Sequence, residues 1–412
     1  MARSLLLIPT ASYRAHDFLE AARRLGIEVV VGGDRRQVLE AAVPGRTLTL
    51  DFAEPHAAVA TIERFAQRYP LDAVVGVDEE TNLVATEAAH RLGLPANPVE
   101  SVAITRNKFQ LRRRLAQAGL PGPRYERFRI DDDPRALASR VHFPCVLKPT
   151  FLAASRGVIR ANDPDEFIAA HARIAALLAD PELRRRGGDE ARYLLVEEYI
   201  PGEEFALEVL VARGRLFVLA LFDKPNPLVG PFFEETIYVT PSRACAETQR
   251  RIVSMLECAL RAIGITEGPV HAEMRVNRRG VFVLEVATRS IGGHCSRVLR
   301  FGAGTSLEEL ILRHALGCES APAERESGAA GVMMIPIPRA GILTSATGLE
   351  AAQQVAGVDR IEIAIPIGQR VVPLPEGNRY LGFIFARAAM PNQVEAALRQ
   401  AHRRLAFDIA SE

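Results

Sequence analysis

Fifteen residues, His271-Ala-Glu-Met-Arg-Val-Asn-Arg-Arg-Gly-Val-Phe-Val-Leu-Glu285, set the tightest limit on how this chain can fold. Two strand-forming runs flank Arg278-Arg279-Gly280, and a three-residue loop with its glycine in the left-handed region makes them an antiparallel hairpin. That loop pairs Asn277 with Val281 and sets Glu273 directly across from Glu285. Two carboxylates facing each other on one sheet surface repel. A divalent cation between them removes the penalty, and two carboxylates plus substrate phosphates is how magnesium is usually held. The other outcome is an ion pair from one glutamate to Arg275 or Arg289, with no metal.

The second constraint is compositional. The 51 basic residues nearly balance 50 acidic ones, yet lysine occurs only at Lys108, Lys148 and Lys224 and the remaining 48 are arginine. A planar fork does not replace a compact point charge, so a lysine retained against such a skew marks a candidate functional position. Near-zero net charge argues against a nucleic-acid footprint and a polybasic membrane surface. No apolar run approaches the ~20 residues of a membrane span, and the short run after Met1 reads as a first strand rather than a leader. Five cysteines form no CxxC pair and cannot all join in disulfides, which predicts a reduced, cytoplasmic setting.

Residues 1–98 alternate strands (Leu5–Ile8, Ile27–Val31, Ala73–Val77) with helices (His16–Leu25, Glu79–Leu92), the pattern of a parallel βαβ domain. The first strand lacks GxGxxG; the loop after it, with Thr10, Ser12, Tyr13 and Arg14, is either an ordinary connection or a place for a small substrate. Residues 99–124 read as a helical linker ending in Gly119-Leu-Pro-Gly-Pro. Strands then follow at Cys145–Lys148, Val158–Ala161, Tyr193–Ile200, Phe205–Val211, Leu216–Phe222 and Glu235–Thr240, interrupted by one long helix over Asp165–Arg185. A helix over Glu247–Ile263 precedes the hairpin, and Glu319–Ala330 reads as a second linker. The last eighty residues suit a small α+β domain.

Chemistry-bearing residues gather in three further places. Lys148 ends an apolar strand, and its ammonium suits a phosphate. The loop behind it, Phe151-Leu-Ala-Ala-Ser-Arg-Gly157, contains Ser155 and offers backbone N–H groups to phosphates. Glu197, Glu198, Glu203 and Glu204 cluster around Pro201-Gly202, lining either a cleft or a solvated turn.

Two lysines, an acidic hinge and a two-glutamate hairpin in this order resemble the ATP-grasp superfamily over roughly residues 1–320. The resemblance implies mixed α/β and α+β architecture: a βαβ domain (1–98), a linker (99–124), two subdomains that clamp ATP (a lid at 125–200 and a catalytic part at 201–320), and a C-terminal α+β domain (331–412). It implies ATP contacts from Lys108, Lys148 and Ser155, adenine recognition by Glu197, Glu198, Tyr199 and Ile200, and a ribose contact from Glu204. Lys224 would be a further phosphate lysine, Glu273 and Glu285 would hold Mg²⁺ or Mn²⁺, and Arg289 would stabilise the transferring phosphate. The family commonly continues Glu-x-Asn-x-Arg; here Ala287 stands at the Asn position and supplies no ligand oxygen.

Phe222-Asp-Lys-Pro, Phe232-Phe-Glu-Glu-Thr-Ile-Tyr and Gly268-Pro-Val-His-Ala-Glu273 resemble the L-amino-acid ligase group. In that likeness Glu234 or Glu235 meets a substrate ammonium, or both are solubilising charges on an edge strand. Gly292 and Gly293 would leave room for the attacking substrate, and His294 is either structural or catalytic. The implied activity is carboxylate–amine ligation through an acylphosphate, with small carboxylate and amine partners; a homodimer is one assembly open to it. Rival readings are a carboxylase or purine-precursor ligase of the same superfamily, and a non-catalytic ATP-binding regulator.

Overall fold

The computed structural model describes residues 2–36, 43–318 and 324–411. Leu5, Leu6 and Leu7 are fully buried, as expected of a strand covered on both faces. Their strand, Arg3–Leu7, lies inside a four-stranded parallel sheet between Glu28–Gly33 and Ala73–Gly76, with Thr47–Thr49 at the edge. Helices Ala15–Leu25, Pro55–Arg68 and Glu79–Arg91 cover it. This is the expected βαβ domain.

The 99–124 linker is two helices, Val99–Arg106 and Lys108–Gln117. Asn107 divides them, because its side chain accepts the N–H groups of Phe109 and Gln110 and so caps the second helix. Lys108 thereby becomes that helix's first residue. The long helix expected over Asp165–Arg185 is likewise two, Pro164–Leu178 and Pro181–Gly187. Pro181 has no N–H to continue the first, and Asp180 caps the second.

Two antiparallel sheets enclose the centre. The smaller, Tyr125–Arg129, Tyr193–Glu198, Cys145–Pro149 and Ile159–Ala161, packs on Phe167, Ala170 and Ile174 of the helix behind it. Its first strand escaped sequence reading because Tyr-Glu-Arg-Phe-Arg buries only Phe128. The larger has eight strands in the order Gly280–Ala287, Gly268–Asn277, Glu203–Ala212, Arg215–Asp223, Ile237–Thr240, Ala329–Ile335, Gly382–Ala388 and Val358–Ile363.

That sheet runs through the expected boundary at residue 331. Ala329–Ile335 is buried at every position and pairs on both edges, with Ile237–Thr240 and with Gly382–Ala388. The C-terminal segment therefore extends the catalytic sheet, and adds a three-stranded sheet of Arg370–Val371, Gly341–Thr347 and Ala406–Ala410. Of the expected linker Glu319–Ala330, residues 319–323 lie outside the described residues. Glu324 and Glu326 hydrogen-bond to the Gly302 and Arg300 backbone before the chain enters the sheet at Ala329. No helix among the described residues is long and apolar enough to cross a membrane.

Candidate active site

The two sheets face each other across a cleft of about 100 Å³ lined by Lys108, Lys148, Ser155, Glu197, Glu198, Tyr199, Ile200, Glu204, Glu235, Glu273 and Glu285. Lys224, Glu234, Arg289, Gly292 and Gly293 stand outside that lining.

The hairpin forms the floor, by a route that differs from the expected one. Its loop has two residues, so Asn277 pairs with Gly280 and Met274 with Val283. A bulge then inserts Leu284, and Glu273 comes to face Glu285 after all. The bulge also turns neighbouring carbonyls toward Arg112, which donates to Val283 at 2.8 Å and Leu284 at 2.7 Å. Neither glutamate pairs with Arg275 or Arg289. Glu273 is 2.7 Å from Lys224 Nζ, and Glu285 is 3.6 Å from Lys108 Nζ.

On the opposite wall, Val146 is the register partner of Glu197, so Lys148 lies diagonally across from Glu197 on the same face. Lys148 Nζ is 2.5 Å from one carboxylate oxygen of Glu197 and Arg112 Nε is 2.6 Å from the other. Glu197 is 4% exposed. Its carboxylate is thus engaged by two cations of the protein. Burial is the largest influence on both groups. It holds the Lys148 ammonium below its ordinary value, whereas Arg112 and Lys148 together outweigh it at Glu197 and keep that carboxyl below the usual range. Arg112 was missed in the sequence, although it lies four residues after Lys108 on one helix face.

Lys224 is not directed at an open phosphate path. Its ammonium lies 2.7 Å from Glu204, Glu235 and Glu273 alike. Glu204 also meets Arg275 Nε at 2.8 Å, and Arg275 donates to the Ile200 carbonyl at 2.7 Å. Burial, reinforced by the Glu273 charge, pushes the Glu235 carboxyl up to about 7. Glu204, Glu235 and Glu273 each offer a carboxylate oxygen within 4.8 Å of one another. An all-oxygen, acidic set of this kind suits a hard divalent cation, and the ammonium drawn into it shows that positive charge is favoured there.

Beyond the floor, Arg289 lies 3.2 Å from Glu79 of the N-terminal domain and donates to the Ser290 carbonyl at 3.0 Å. The room expected at the glycine pair is taken by protein. A Cβ at Gly292 would stand 3.0 Å from the Tyr13 hydroxyl, and one at Gly293 would stand 2.4 Å from Met334 Sδ. Gly293 has φ +59° and donates its N–H to Tyr13 Oη at 2.8 Å. His294 is wedged edge-on between the rings of Tyr13 and Phe383, each at 4.6 Å, which favours its structural alternative. The loop after the first strand thus has two parts. Thr10 is tied to Asp34, whereas Tyr13 and Arg14 reach the loop after the hairpin, at Gly293 and Ser290.

This arrangement, an acidic hairpin floor under a lysine-bearing lid sheet, coincides with matches along the chain. Residues 141–298 match the ATP-grasp domain, 19–96 the ATP-grasp N-terminal domain and 333–410 the L-amino acid ligase C-terminal domain 2. The chain belongs to the ATP-grasp superfamily. The L-amino acid ligase of Bacillus licheniformis superposes with a TM-score of 0.82 at 27% identity, covering 100% of this chain and 99% of that one. The uncharacterized protein y4rH of Sinorhizobium fredii is 22% identical over 412 residues, 100% of this chain and 84% of its own. The alanine–anticapsin ligase of Bacillus amyloliquefaciens is 26% identical over 267 residues, 62% of this chain; the match spans little more than half, 56%, of that relative. These likenesses place the chain among ATP-dependent ligases that form C–N bonds.

Proposed function

We propose that this protein joins the carboxylate of one amino acid to the amine of a second through an acylphosphate, releasing ADP and phosphate. The observation that carries the reading is the Glu273–Glu285 opposition on the floor of a cleft whose walls bear Lys108 and Lys148, with Arg289 four residues beyond Glu285. Lys108 and Lys148 are point charges suited to phosphate oxygens. The backbone of Glu198–Ile200 borders the base, and Glu204 the ribose. Glu273 and Glu285, with Glu204 and Glu235 nearby, would hold Mg²⁺ or Mn²⁺, which when bound offsets the charge of the phosphates.

Lys224 offsets part of the charge of Glu204, Glu235 and Glu273, and the negative charge left over draws the ammonium of the first substrate to Glu235; half-buried Glu234, raised by desolvation, stands next to it. Arg289 stabilises the oxygens of the transferring phosphoryl and acylphosphate groups. Positioning and electrostatics supply most of the rate, since phosphoryl transfer leaves the protein little covalent work. Five free cysteines and an ATP requirement accord with the cytoplasm.

The test is phosphate release over a pairwise matrix of amino acids, with mass spectrometry of the products. Glu273→Gln and Glu285→Gln should each abolish ADP formation at saturating substrate. Turnover near the unaltered rate would sink the metal assignment.

A further inference from the structure

The stretch carrying Arg289 is gripped at each residue by the N-terminal domain. Asn82 Nδ2 donates to the Thr288 carbonyl at 3.1 Å, Glu79 lies 3.2 Å from Arg289 Nε, and Arg14 donates to Ser290 Oγ. Glu79 and Asn82 are three residues apart at the start of helix Glu79–Arg91 and therefore share a face. Within the N-terminal domain the helix is pressed on its own strand, since a Cβ at Gly76 would stand 2.5 Å from Asn82 Oδ1.

Glu79 itself is an unusual neighbour. Both of its carboxylate oxygens are buried and make no hydrogen bond among the described residues. Its ion pair with Arg289 therefore lacks aligned hydrogen bonds. A buried pair of that kind contributes little to stability compared with an apolar replacement. Arg289's other contact, the carbonyl of adjacent Ser290, moves with its own loop and cannot aim it relative to the domain.

We propose that Glu79 is a positioning residue. From the N-terminal domain it aims the Arg289 guanidinium, with Asn82 and Arg14 fixing the backbone on either side, so that this domain governs the chemical step without touching ATP. The inference rests on the ligase reading above.

Glu79→Gln keeps the shape and removes the charge. It should lower kcat for ADP release about 100-fold, the loss that a misplacement of roughly 1 Å produces, with KM for ATP unchanged. Glu79→Asp should recover part of the rate, and crystals of Glu79→Gln should show the guanidinium displaced. Asn82→Ala, which removes only the grip on Thr288, is the second variant should Glu79→Gln not fold; it should lower kcat about tenfold, again without changing KM for ATP. An unaltered kcat in folded Glu79→Gln, or equal losses in kcat and ATP affinity, overturns the inference alone. No ADP release from the unaltered protein anywhere in the amino-acid matrix overturns the ligase reading and this inference with it.

Discussion

The nucleotide cleft and the Arg289 loop are both charged and both buried, yet they are neutralised from different distances. In the cleft, Lys148, Glu197 and Arg112 sit on neighbouring strands and on the helix that leads into them, within hydrogen-bonding reach. At the loop, Arg289 draws its counter-charge from the far end of the chain, across a domain boundary and without an aligned hydrogen bond. The first arrangement is a closed, hydrogen-bonded network in which Arg112 also ties the lid strand to the hairpin carbonyls. The second exists only when two units are docked, which suits a group whose orientation rather than whose charge matters.

The comparison breaks most readily at its closed end. Glu197→Gln leaves Arg112 and Lys148 buried without a counter-charge and should destabilise the protein by ~3–5 kcal/mol in urea denaturation. Glu79→Gln breaks a looser pair that has no aligned hydrogen bond and should lower the urea midpoint less than Glu197→Gln does; equal losses at both sites would erase the distinction. Next in size, Lys148→Arg keeps the charge but cannot place a compact ammonium against Glu197 and phosphate. It should raise KM for ATP roughly 10- to 100-fold, the value of one to two charged hydrogen bonds. Normal turnover would mean that only the charge at that position matters.

The smallest effect concerns pH. Burial, the largest influence, lowers the His271 pKa, but Glu208 at 2.5 Å and Glu273 at 3.5 Å outweigh it and raise the imidazole to about 9, from 6.5 in an unfolded chain. Because the folded state holds the proton more tightly, this contribution is complete below about pH 6.5 and is lost as pH rises through about 9. The melting temperature should therefore decline over that window, and Glu208→Gln should flatten the decline. A flat profile in the unaltered protein would remove His271 from the floor's charge balance.

Much of this was legible before any coordinates. The scarcity of lysine singled out three positions that all fall in ion pairs around the cleft, two of them buried, although Lys224 faces carboxylates rather than an open phosphate path. The hairpin sequence places Glu273 across from Glu285, but through a two-residue loop and a bulge rather than the expected three-residue loop. Alternation along a strand shows which face a residue takes and cannot show where an extra residue is absorbed. The unbroken helix over Asp165–Arg185 failed at a visible signal, Asp180-Pro181. That the C-terminal segment shares its sheet with the catalytic part was not legible, because the edge of Ile237–Thr240 that Ala329–Ile335 occupies carries no local mark.

Local order along the chain was thus enough for the parallel N-terminal domain, the hairpin, the hinge and the lysines, because each depends on residues close in sequence and on side-chain periodicity. Docking decided the rest. Arg112 between Glu197 and the bulged carbonyls, Tyr13 in the space beside Gly292, and Glu79 against Arg289 join segments whose encounter depends on how whole layers pack. No pairwise pattern in the sequence encodes that packing, since a buried charge becomes tolerable only after its distant partner has arrived.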